Sequence, residues 1–172
     1  MAMMTSSART PLAHPITRPI TALLLLGALV APGAAQSLIT EGGGEGDFAL
    51  VADGRAAPVW YDPGDHRVVE IAARDFAADV ARVTGVEPAV VTGRDQLGDA
   101  PVIAGTLGRS GPVDEMVRRG RLDVGGLEGA WESFVIATVD DPLPGVARAL
   151  VVAGSDRRGT AYGLYELSRQ VG

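Results

Sequence analysis

A chain of 172 residues with no cysteine, and with 15 basic against 21 acidic residues for a formal charge of −6, has room for one ordinary core plus a short extra segment. The acidic balance argues against nucleic acid and anionic membrane surfaces as partners. The missing cysteines exclude disulfides and thiolate metal sites, so packing alone must hold the fold. Residues 1–35 read as an export signal: Arg9, His14 and Arg18 precede an apolar run from Ile20 to Ala31, Pro32-Gly33-Ala34-Ala35 follows, and no acid occurs before Glu41. The run is shorter than the roughly 20 apolar residues of a membrane span. The expectation is therefore cleavage after Ala35, a mature chain starting at Gln36, secreted or periplasmic localisation and no membrane contact afterwards. An uncleaved N-terminal anchor is the alternative. Past that segment His66 is the only imidazole, so neither a metal nor a cofactor is expected.

Residues 36–46 form a flexible, glycine-rich leader, and residues 47–172 carry the folded domain. Its first apolar run, Phe48 to Val51, ends at the turn signal Asp53-Gly54, and a second strand is predicted over Ala57 to Tyr61 with Pro58 at its start. From His66 to Thr84, Val69, Ala72, Ala73, Phe76, Val80 and Val83 recur at three- and four-residue steps, which predicts an amphipathic helix. Asp65 suits its N-cap, Gly85 its left-handed C-cap, and Glu70 can pair with Arg74 one turn on. Ala89 to Val91 and Pro101 to Ala104 read as short buried strands, and a short helix runs from Ser110-Gly111-Pro112 to Gly120. A half-buried strand follows from Glu132 to Val139, then a turn over Asp141 to Gly145, then Ala149 to Ala153 as the most buried strand. The last helix is predicted from about Thr160 to Gln170, capped by Thr160. The sum is an α/β (α+β-like) fold, a mixed β-sheet covered by about three helices.

Two glycine-rich turns follow strands. Gly154-Ser155-Asp156-Arg157-Arg158-Gly159-Thr160 imitates half of a phosphate loop but lacks the lysine that must precede Ser/Thr. Gly105-Thr106-Leu107-Gly108-Arg109-Ser110-Gly111 has the wrong spacing for a dinucleotide site. Both read as tight turns. A glycosidase needs two carboxylates facing each other across its substrate, whereas Asp140-Asp141, Glu128 and Glu132 look like surface acids. No catalytic residue is assigned. Trp131, able to stack on a sugar ring, and the pair Arg157 and Arg158 are the candidates for substrate binding.

Several phrases resemble the N-terminal domain of glycoside hydrolase family 115, the xylan α-1,2-glucuronidases. They are Val51-Ala52-Asp53-Gly54-Arg55-Ala56-Ala57-Pro58, Ala78-Asp79-Val80-Ala81-Arg82-Val83-Thr84-Gly85, Ile103-Ala104-Gly105-Thr106-Leu107-Gly108 and Gly129-Ala130-Trp131-Glu132-Ser133-Phe134-Val135-Ile136. The longest runs from Ala149 through Gly154-Ser155-Asp156-Arg157-Arg158-Gly159-Thr160-Ala161-Tyr162-Gly163 to Ser168. The ending of that phrase is also similar to the accessory domain that precedes the barrel in hexosaminidase-like enzymes. The resemblance implies a non-catalytic domain supporting a TIM barrel, the partner in which the family's catalytic acids lie and which is absent from this chain, with glucuronoxylan as the parent's substrate. Tyr162, Leu164, Tyr165, Leu167 and Val171 are spread around the last helix, so one side can pack on the sheet, and the resemblance implies that the other meets that barrel. The alternative is a self-contained secreted carbohydrate-binding or docking module.

Overall fold

In the computed structural model, Gly44 and residues 47–172 are described; the expected export signal and the rest of the expected leader lie outside the described residues. Asp53 and Gly54, at φ 51° and 72°, make the two-residue hairpin turn whose twist matches that of the strands. They join β1 (Val51–Ala52) to β2 (Arg55–Ala56). The turn falls where the sequence places it. The second arm went unforeseen because Arg55-Ala56 carries no apolar alternation.

The main sheet holds β3 (Val59–Tyr61), β4 (Val90–Val91), β5 (Val102–Thr106), β6 (Phe134–Leu143) and β7 (Val146–Gly154), in the order β4-β3-β5-β7-β6. β3, β4, β5 and β7 run parallel, and β6 returns antiparallel along the edge. Alternate side chains leave a strand on opposite faces, and here that alternation separates two apolar layers. Val59, Tyr61, Val102, Ala104 and Val152 join the layer under α1 (Arg67–Thr84) and α3 (Arg157–Val171). Trp60, Ile103, Val151 and Ala153 join the other, under α2 (Gly111–Arg118) and Leu122, Val124 and Leu127 of the following loop. The sheet is mixed and three helices cover it, as the sequence predicts.

α1 buries Val69, Ala72, Ala73, Phe76 and Val80, and Gly85 caps it at φ 75°, its N–H donating to the Ala81 carbonyl at 2.8 Å. Three details differ from expectation. Val83 is half exposed, the helix's buried stripe ending at Val80. His66, not Asp65, holds the N-cap position and makes no side-chain cap. The Asp65 carboxylate instead accepts from the N–H groups of His66 and Thr106, both at 2.7 Å, and so ties the helix start to the end of β5.

The predicted turn over Asp141 to Gly145 shrinks to Pro144-Gly145, because β6 continues through Pro142. Pro142 is tolerated on an edge strand, where a missing N–H need not break the ladder, and the register shifts between Asp140 and Leu143. β7 is not the most buried strand: Ala147 is exposed and Leu150 half-buried, whereas every residue of β5 and of β3 is buried. α3 begins three residues before Thr160, and Asp156, not Thr160, caps it.

Candidate functional site

The paired register of β6 and β7 sets Phe134 opposite Gly154. The segment before β6 therefore lies against the turn that leaves β7 for α3. Asp156 joins the two segments. Its Oδ1 accepts from the N–H groups of Arg158 at 2.8 Å and Gly159 at 2.9 Å, and its Oδ2 accepts from the N–H of Glu132 at 2.8 Å. These backbone donors, Glu132 first and Gly159 next, hold its carboxyl below the usual range against partial desolvation. A second clasp runs beside the first: Ser155 N–H donates to Ser133 O at 2.9 Å, and Ser133 N–H to Ser155 Oγ at 3.1 Å. The fit is close enough that a Cβ on Gly159 would lie 2.2 Å from Ser133 O, so only glycine serves there.

Between these segments lies an open cleft of about 450 Å³, lined by Gly129, Ala130, Trp131, Glu132, Ser155, Asp156, Arg157 and Arg158. All three residues singled out from the sequence, Trp131, Arg157 and Arg158, thus meet in one place. Trp131 is 85 % exposed. Arg158 is committed within the domain: it pairs with Glu132 at 2.7 Å, donates to the Tyr162 hydroxyl at 3.0 Å and lies over that ring. The Arg157 side chain has no ion-pair or hydrogen-bond partner among the described residues. Glu132, at φ 53°, occupies the left-handed region that non-glycine residues seldom adopt.

The glycine-rich turns offer no cradle for a phosphate, because the chain's own carboxylates fill the amide positions. Asp156 takes the first amides of α3, as described. In the other turn, Thr106 N–H goes to Asp65, Gly108 N–H to Asp114 at 2.8 Å, and Gly111 N–H to Asp62 at 2.8 Å. Thr160 has a different use from the one expected. Its buried hydroxyl meets the Thr106 hydroxyl at 2.8 Å and so bridges the two turns. An Asp just before a helical run is a recognised start signal, and Asp156, not Thr160, is the residue that carries it here.

Among the described residues no cluster of His, Asp and Glu could hold a metal ion. Asp140 pairs with Arg148 at 2.6 Å and Asp141 with Arg121 at 2.5 Å, both on the surface. Two carboxylates do line the cleft, Glu132 and Asp156, but one is engaged by Arg158 and the other by three amides. Asp156, whose carboxyl these amides hold below the usual range, is a poor proton donor to a leaving group.

No family model and no curated protein matches the chain. Among solved structures, the chain is similar to a family GH115 4-O-methyl-α-glucuronidase described as having specificity for decorated arabinogalactans. The identity is 27 % and the TM-score 0.54, over 69 % of this chain and 14 % of that one. The chain therefore spans a small part of the solved enzyme's length. The likeness relates it to the GH115 glucuronidases and makes it a glycoside hydrolase-related domain.

Proposed function

We propose that residues 47–172 form the N-terminal, non-catalytic domain of a secreted α-glucuronidase-like glycoside hydrolase and support its catalytic barrel. The similarity to the GH115 enzyme carries this reading. The engaged state of Glu132 and Asp156 supports the non-catalytic role, since neither can serve as half of an acid–base pair without first losing its partners. The basic and apolar pattern of residues 1–35 supports export. From the sequence phrases, the parent's substrate is glucuronoxylan; the solved relative's stated specificity widens this to other polysaccharides decorated with 4-O-methylglucuronate. The test is direct. Purified chain incubated with glucuronoxylan or with a decorated arabinogalactan releases no 4-O-methylglucuronic acid above a mock preparation. Release by the chain alone would overturn the reading.

A further inference from the structure

Trp131 is held out into water by a turn that is itself firmly tied. Ser133 Oγ donates to the Trp131 carbonyl at 3.0 Å, Ala130 N–H to the Leu127 carbonyl at 3.1 Å, and Glu132 N–H to Asp156. The next residue, Glu132, sits at a positive φ that costs free energy and persists because its surroundings fix it. A large aromatic side chain left 85 % exposed on such a turn loses the stabilisation that burial would give it, and nothing in the packing of the domain requires it there. Backbone strain and an unburied anchor residue at one cleft are the signs of a site that serves a ligand.

The charges around the cleft narrow the ligand. Glu132 is neutralised by Arg158, and the oxygens of Asp156 are filled by amides. Arg157 stands on the rim with its guanidinium unclaimed among the described residues. An aromatic face suits the axial C–H groups of a pyranose ring, and a free guanidinium suits a carboxylate, to which it can donate two parallel hydrogen bonds. The cleft volume, about 450 Å³, falls among small-ligand sites of roughly 300–1,000 Å³.

We propose that this cleft is a binding subsite for a uronic-acid residue of a polysaccharide, with Trp131 stacking on the sugar ring and Arg157 holding its carboxylate. The choice of a sugar rests on the reading of the domain as part of a polysaccharide-active enzyme. The choice of an acidic one rests on Arg157. The subsite sits on the accessory domain and would hold the polymer without cleaving it.

The chain suits a fluorescence test, because it has two tryptophans. Trp60 is 5 % exposed, with its indole N–H on the Thr92 carbonyl at 3.0 Å, so a ligand-dependent change in emission reports Trp131. The intact chain is titrated with methyl glucuronoside and, in parallel, with methyl glucoside, and calorimetry serves for the variant lacking Trp131. The expected result is saturable binding of the glucuronoside in the millimolar range, about tenfold tighter than the glucoside. Arg157→Gln abolishes that preference, and Trp131→Ala abolishes binding of both sugars while the protein keeps its thermal midpoint. Absence of saturable binding, equal affinity for the two sugars, or an unaffected preference in Arg157→Gln each overturns the subsite. Emission that answers to protein concentration and not to sugar also overturns it, and makes Trp131 a protein-docking anchor instead. None of these failures touches the proposed function, which falls only if the chain alone releases 4-O-methylglucuronic acid.

Discussion

Asp156 caps α3 with one carboxylate oxygen and fastens the Trp131 turn with the other. In the sequence it is one acid among several in turns, and Thr160 looks like the cap because a hydroxyl residue preceding apolar helix positions fits the rule as well. The difference lies in the Glu132 N–H, which belongs to a segment 24 residues away and joins the carboxylate only after β6 has paired with β7. Replacing a helix cap by alanine costs about 0.5–2 kcal/mol, and the lost Glu132 bond places Asp156→Ala toward the top of that range. The pH dependence has a fixed sign. A carboxyl whose folded pKa lies below its unfolded value, about 4, stabilises the fold above that value and loses the contribution as pH falls through the folded pKa. The gap in denaturant midpoint between wild type and Asp156→Ala should therefore be widest near neutral pH and shrink below about pH 4. A gap that stays constant down to pH 2 would place the effect in something other than the ionised cap.

Elements whose own side chains set their position were legible, and elements positioned by neighbours were less so. α1 has a run of apolar residues at helical spacing, a matching polar face and a glycine at its end, and the structure departs from that reading only at the cap and at Val83. β6 extends past its predicted end at Val139 because Asp141-Pro142, a turn signal in the sequence, lies on the sheet edge, where the strand can continue through it. Phe76 lies wholly buried between α1 and the sheet, in the layer that also holds Val59, Val102 and Leu164. Deleting such a side chain costs about 3–5 kcal/mol, a large share of the roughly 5–15 kcal/mol that holds a small domain together. Arg74, on the same helix, is mostly exposed and pairs with Glu70 at 3.2 Å, a solvent-screened surface contact that contributes little. Chemical denaturation should accordingly show a sharply lowered midpoint for Phe76→Ala and almost none of that loss for Arg74→Ala. Small, similar losses for the two would mean that the buried stripe of α1 is wrongly assigned.

For the molecule as a whole, the sequence can nominate Trp131 and the adjacent pair Arg157-Arg158 but cannot bring the tryptophan to the pair. Their meeting depends on the antiparallel return of β6, which composition and periodicity do not report. The outer face of the helical layer is a second property of the assembled domain. Leu164 and Leu167 of α3 are buried, whereas Tyr162 and Tyr165 are about two-fifths exposed, as is Ile71 on α1, one turn before Asp75. Tyr165 donates to Asp75 at 2.8 Å and thereby links the two helices across this face. α3 packs against α1 and β7 and so is anchored along its length. The half-exposed aromatic and aliphatic surface remains, and apolar patches of about 300–600 Å² commonly mark places where another surface docks. The isolated chain should therefore self-associate weakly as concentration rises, while its α3 amides stay protected from hydrogen exchange. Ile71→Gln, which makes part of this exposed face polar, should weaken that association and lower the denaturant midpoint far less than Phe76→Ala does. Sedimentation velocity over a hundredfold range of concentration decides the matter, because a sedimentation coefficient that stays monomeric throughout would mean that the tyrosine hydroxyl bonds close this face well enough for the domain to need no cover.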